Sequence, residues 1–128
     1  MRALLDTHAF LWFIGGAERL STHARSLIEA RENAMLVSAA GLWEIAIKHS
    51  LGKLSLDRPF SDLIPEQLER QRIGVLAIEL AHLSEFVHLP LHHRDPFDRL
   101  IVAQARAEGL PIISVDPALD SYGIQRIW

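Results

Sequence analysis

The chain has 128 residues, 49% of them hydrophobic and 23% charged, with a formal net charge of −3 and no cysteine. That is globular composition with enough chain for a real core, not the profile of a disordered segment. A disulfide framework and a thiolate metal site are excluded; the lack of cysteine fits a reducing cytosol, so a cytoplasmic location is expected. The acidic balance argues against a nonspecific nucleic-acid coat, but not against nuclease chemistry in which a metal offsets the acids. No apolar run approaches the ~20 residues of a membrane span.

The first run, "RALLD" (2–6), is apolar and ends in an acid. A signal peptide is conceivable after the lone Arg2, but Asp6 and His8 break the apolar region and no clean cleavage site follows. The run therefore reads as a first strand. "THAFLWFIG" reads as a helix stopped by Gly15-Gly16, and "STHARSLIEAREN" as a second, capped by Ser21 or Thr22, with Ala24, Leu27 and Ile28 on one face. "AMLVS" (34–38) is a second strand. "AAGLWEIAIKHSLG" follows as a helix that ends at Gly52. "SDLIPEQLERQRI", disturbed by Pro65, and "AHLSEFVHL" supply shorter helices around a third strand, "GVLAI" (74–78). "DPFDRLIVAQARAEG" runs from a cap at Asp95 to Gly109 and leads into a fourth strand, "PIISVD" (111–116). Continuous apolar strands alternating with amphipathic helices predict an α/β fold with a mainly parallel sheet covered on both faces. No repeat, linker or low-complexity tract interrupts it.

Ligands of such sheets bind outside the carboxyl ends of the strands. Asp6 closes the first strand and Asp116 the fourth, while Asp98 lies in the first turn of the helix before the fourth strand. Glu44 is about two turns into the helix after Ser38, from which it can reach the same edge. Taken singly, each acid has a plain alternative. Asp6 can cap the helix at Thr7, Asp116 the turn at Pro117, and Glu44 can face solvent. Asp95 is better explained as an N-cap and Asp98 as a ligand, since Pro96 suits the first helical position and the dipole already has Asp95. The conjunction at one edge favours a site for Mg²⁺ or Mn²⁺, because clustered carboxylates repel unless neutralised and hard cations prefer oxygen. Such an ion supports phosphodiester hydrolysis.

Other motifs give less. No nucleotide-binding glycine loop, nucleophile elbow or H-E-x-x-H helix is present. His88, His92 and His93 lack helical spacing for zinc. Lys48, Lys53, Arg94 and Arg99 lie near the predicted acidic edge as candidate RNA-phosphate contacts, with solvated surface charge the equal alternative. Trp12, Phe13 and Trp43 suit core or subunit interface, and the apolar helix from Thr7 to Ile14 is expected to leave a face for a second copy or a partner. A phospho-acceptor receiver domain would want an acidic pair near the first strand and a lysine ending the last one. A dehalogenase-like phosphatase would want an Asp where His8 stands. A noncatalytic module that used these acids as caps would bind no metal.

"LLDTH", "SAAGLWEIAIKHSLGKL", "HHRDPFDRLIVAQA" and "IISVD", in that order, resemble a PIN domain, specifically a VapC-type ribonuclease toxin of a toxin–antitoxin pair. The resemblance runs from Leu4 to Asp116. It implies a three-layer α/β/α sandwich forming one PIN domain over 1–128, and RNA cleavage dependent on Mg²⁺ or Mn²⁺. Asp6, Glu44, Asp98 and Asp116 would form the catalytic and metal-holding set, supported by Thr7, Ser38 and Asp95. It further implies a homodimer and a cognate antitoxin that covers the site.

Overall fold

The computed structural model describes residues 1–92 and 95–128. Its centre is a five-stranded, all-parallel sheet in the order β3-β2-β1-β4-β5. The strands are β1 (Arg2–Leu5), β2 (Ala34–Ser38), β3 (Gly74–Leu76), β4 (Ile112–Ile113) and β5 (Arg126–Ile127). Helices α1 (Thr7–Ile14), α2 (Thr22–Glu29), α3 (Ala39–Ser50), α4 (Phe60–Arg70), α5 (Leu80–His88) and α6 (Pro96–Glu108) connect them, and a 3-10 helix spans Pro117–Tyr122.

The strands read as unbroken apolar runs because both faces are covered. Successive side chains alternate between faces, so Ala3, Leu5, Met35, Val37 and Ile113 pack with Phe10, Phe13, Ala24, Ile28 and Ile64 of α1, α2 and α4. Leu4, Leu36, Leu76 and Ile112 pack on the other face with Leu89 and with Ile101, Val102 and Ala105 of α6. The result is the expected three-layer sandwich. Helix α3 departs from the simple pattern: Ile45 joins the first core, yet the helix also packs against α6 from the second. It thus straddles the carboxyl edge of the sheet.

The expected strands 74–78 and 111–116 shrink to Gly74–Leu76 and Ile112–Ile113. Ser114 and Asp116 leave the strand to organise the turn into the 3-10 helix. Helix α4 continues through Pro65 rather than stopping there, its missing N–H falling against the exposed side at Ser61, where water can take the freed carbonyl. No helix among the described residues is long and apolar enough to cross a membrane.

Helix α1 keeps part of the apolar face expected on it, with Leu11, Trp12 and Ile14 half-buried. Phe13 is buried, and Trp12 is half-buried against Trp128 with Arg19 over its ring. The exposed large apolar side chains gather instead on α3 and α5, where Trp43, Leu80, Leu83 and Val87 stand out, Leu80 at 82% exposure.

Candidate active site

Asp6 follows β1 directly, so its position is set by the central strand. Its extended backbone makes it the N-cap of α1, with Oδ1 accepting the Ala9 N–H at 2.7 Å. The cap reading of this acid is therefore correct as local structure, and it does not compete with a second role, because a carboxylate has further lone pairs. The Ser114 hydroxyl, fully buried beyond β4, hydrogen-bonds the same carboxylate. Burial pushes the Asp6 carboxyl above its usual range; the bonds from Ser114 and Ala9 and the nearby His8 offset part of this, and the Asp116 carboxylate adds to the rise. Asp116 is held by its own neighbours. Its N–H donates to Ser114 Oγ at 3.1 Å, and its side chain caps the 3-10 helix by accepting the Ala118 N–H at 3.0 Å.

Glu44 and Asp98 come from the helix pair. Glu44 faces inward at 4% exposure, not to solvent. One oxygen, Oε2, accepts from Lys48 Nζ at 2.8 Å, one turn along α3. The other, Oε1, is buried without a hydrogen-bond partner among the described residues, as is Thr7 Oγ1. The Glu44 bond raises the Lys48 pKa, and the charges of Glu44, Asp95 and Asp98 reinforce it against partial desolvation. Lys48 therefore marks where these three acids gather. Asp95 is the N-cap of α6, its Oδ1 accepting the N–H groups of Phe97 at 2.8 Å and Asp98 at 3.1 Å. Asp98 is left in the first helical turn, where the macrodipole favours a negative charge.

The acids thus collect as two neighbouring sets, Asp6 with Asp116 and Glu44 with Asp98 and Asp95. Among the described residues no three acidic or histidine side chains close into a metal cage. The donor set nevertheless fits a hard cation. It offers only oxygen, it includes a buried carboxylate oxygen left bare, and a bare buried polar atom costs on the order of 1–3 kcal/mol until something meets it.

The other expected residues divide. Ser38 is fully buried and caps α3, accepting the Ala40 N–H at 3.0 Å. Lys53 lies in the exposed turn after α3. Arg94 and His93 lie outside the described residues. Arg99 is not a surface cation: it is 9% exposed, it donates to the Pro90 carbonyl at 3.0 Å, and its guanidinium lies 4.9 Å from the Phe86 ring centre. It braces the segment before α6, a place unsuited to binding RNA phosphate. His88 bonds the Ser84 carbonyl one turn back, and His92 packs on the Tyr122 ring. Two residues escaped the sequence reading, Ser114 and Gln104. For Ser114 the signal was a hydroxyl at the carboxyl end of an apolar strand; a buried amide among aliphatics was the signal for Gln104.

Comparison with known proteins agrees with this architecture. Ribonuclease VapC16 of Mycobacterium tuberculosis (strain ATCC 25618 / H37Rv) is 30% identical over 99 residues, 77% of this chain and 57% of that protein. The chain thus spans little more than half the length of that relative. VapBC2 from Rickettsia felis, solved bound to a DNA fragment from their promoter, superposes with a TM-score of 0.75 at 15% identity, covering 99% of this chain and 98% of that one. FitAcB from Neisseria gonorrhoeae gives 0.68 at 16% identity, covering 100% and 97%. At such identities the structures speak to fold alone. The PIN domain family matches residues 3–125, which takes in every acid of the site, and the chain belongs to that family.

Proposed function

We propose that this chain is a metal-dependent endoribonuclease, the toxin of a toxin–antitoxin pair, which hydrolyses RNA phosphodiesters. The observation that carries the reading is the bare, buried Glu44 Oε1 inside an all-oxygen acidic cluster at the carboxyl edge of a PIN sheet. Kinship with a protein named as a ribonuclease supports the substrate class. Asp6, Glu44, Asp98 and Asp116 would hold the ion. When bound, Mg²⁺ or Mn²⁺ supplies Lewis-acid activation of water and neutralises charge developing on the phosphodiester.

The chain's own residues orient and balance. Ser114 fixes the Asp6 carboxylate through its hydroxyl and the Asp116 backbone through its oxygen, so one side chain aligns two acids. Asp95 closes the first turn of α6 and so aims Asp98, while Thr7 brings a second bare oxygen beside α3. Lys48 offsets Glu44 and, half exposed, stands at the rim where an RNA phosphate meets a cation; Lys53, exposed in the turn after α3, would extend that rim. An antitoxin would restrain the activity. The exposed apolar surface of α3 and α5, with a hollow of about 280 Å³ between Trp43, Leu83, Phe86 and Phe97, supports burial against a second copy in a homodimer.

Cleavage of a mixed RNA by the purified chain tests the reading. Activity should appear with millimolar Mg²⁺ or Mn²⁺, vanish with EDTA and return on adding metal back. RNA left intact under every metal condition would sink it.

A further inference from the structure

Helices α3 and α6 run antiparallel, and their contacts form a ladder. Ser38, the cap of α3, meets Gln104. A Cβ added at Gly41 would stand 3.9 Å from Ile101 Cδ1. The rings of Trp43 and Phe97 meet edge to face at 5.4 Å. Each step forward on α3 is matched by a step back on α6. Three residues on from Gly41, and three back from Ile101, the register of the first two rungs sets Glu44 opposite Asp98, in accord with Lys48 sensing both charges.

The first rung is unlike the others. Gln104 is fully buried, and every polar atom of its amide is used. Its Oε1 accepts from Ser38 Oγ at 2.5 Å, and Nε2 donates to the Ala77 carbonyl at 3.3 Å and stands 3.4 Å from His82 Nδ1. His82, also fully buried, takes the Glu79 N–H on Nδ1 at 3.0 Å, so its other nitrogen carries the proton toward Glu108 Oε2 at 3.1 Å. The hydroxyl of Ser38 can therefore turn only one way: it gives its proton to Gln104 and takes the Ala40 N–H. A directional bond in a dry interior fixes register more strictly than apolar packing, because slippage leaves buried polar atoms unpaired.

We infer that Gln104 is a positioning residue of the acidic site, which sets the register of α3 on α6 through Ser38 and thereby places Glu44 opposite Asp98. The claim rests on the metal-site reading above for its consequence, though not for its geometry. Gln104 lies six residues along α6 from Asp98, as Ser38 lies six before Glu44, about 9 Å in each helix. It touches neither the metal ligands nor RNA and acts only through the helix pair.

The test compares Gln104→Met, which keeps length and removes the amide, with Ser38→Ala, which breaks the same bond from the other side. Leu110→Ala is the control, a buried position just past α6 that is remote from the site. Two quantities are measured on the full chain: the dissociation constant for Mn²⁺ by calorimetry, and the Trp43 indole N–H resonance of the metal-free protein. Expected is a rise in that constant of about tenfold or more for Gln104→Met and Ser38→Ala, as for lost supports of metal ligands elsewhere. The double variant should be little worse than either single one, the Trp43 resonance should move in both, and Leu110→Ala should change neither quantity despite lower stability. If Gln104→Met does not fold, Ser38→Ala decides. A folded variant with wild-type Mn²⁺ affinity and an unmoved Trp43 resonance overturns the claim. Failure of the wild-type chain to bind Mn²⁺ sinks the metal reading instead, and the Trp43 resonance alone then decides the register.

Discussion

The two halves of the acidic site are built by different means. Asp6 and Asp116 are borne by strands: each follows a run locked into the sheet, and Ser114 ties one to the other. Glu44 and Asp98 are borne by helices, and their approach depends on how α3 seats against α6. The first half satisfies its carboxylate with the chain's own N–H and O–H groups and carries the strain of burial as a raised pKa. Lys48 answers only one oxygen of Glu44 in the second half and leaves the other bare. Strand pairing fixes where charge is put, whereas helix packing fixes how far apart two charges stand. The second kind of placement is the easier to perturb.

The largest effect should come from the helix-borne half. Asp98→Asn keeps the shape and removes a charge the ion needs, so RNA cleavage should collapse to the EDTA background. The metal-free fold should change little, since relief from the like charges of Glu44 and Asp95 is set against loss of a charge that the α6 dipole favours. Paired cleavage assays and denaturant melts would show it, and full activity in this variant would remove Asp98 from the site.

Asp95→Ala tests the support of that half separately from its chemistry. Loss of an N-cap that takes two N–H groups should cost about 0.5–2 kcal/mol in a urea melt. Cleavage well below the melting point should fall far less than in Asp98→Asn. A dead but fully stable Asp95→Ala protein would mean the two aspartates have exchanged roles.

Gly41→Ala puts a wedge between the halves. The new Cβ would lie 2.9 Å from Thr7 Oγ1, on a buried β-branched side chain with little room to turn. Helix propensity returns up to ~1 kcal/mol, and overpacking costs about 1–3 kcal/mol. The clash wins, and stability should fall by about 1 kcal/mol. A more stable Gly41→Ala protein would show that α3 is not pressed against α1.

The smallest effect belongs to the strand-borne half and depends on pH. Because burial raises the Asp6 pKa in the fold, ionisation is disfavoured there relative to the unfolded chain. The group's favourable contribution is complete below the ordinary value of 3.8 and is lost as pH rises through the folded value. Asp6→Asn keeps an acceptor for Ala9 without the charge. The metal-free variant should therefore be more stable than wild type at pH 7, with the gain disappearing by about pH 3. Thermal melts at the two pH values in EDTA check this; an equal gain at both would assign the effect to something other than charge.

Much of this was legible in the residues. β2, α3 and α6 stand where periodicity and caps put them, because their apolar runs are long and bounded by Ser38, Asp95 and Gly109. β5 was not legible: two residues on a sheet edge carry no periodicity, and only the bonds from Ile112 and Ser114 to residues 125 and 127 define the strand. Glu44 shows the limit for the site. A glutamate between Trp43 and Ile45 ordinarily faces water, and only the antiparallel partner turns that side inward. Arg99 fails in the opposite sense, since nothing local announces that the Pro90 carbonyl needs a donor. The face of α1 is less open than expected because Trp128, which covers Trp12, is distant in sequence, and the more exposed apolar surface of α3 and α5 was not read.

The central place of β1 governs when the parts meet. Its one neighbour, β2, follows after a single pair of helices, but the other, β4, enters only near the end of the chain. During synthesis from the amino terminus, Asp6 therefore waits for Ser114 and Asp116 until the fourth strand has been made, and Ser38 waits for Gln104 until α6 has been made. Pairing so distant in sequence is also slow to find. A ribosome making this protein would carry a nascent chain in which Asp6, Glu44 and Asp98 are already made and still unassembled, so the acidic edge would take its shape only once β4 has joined the sheet.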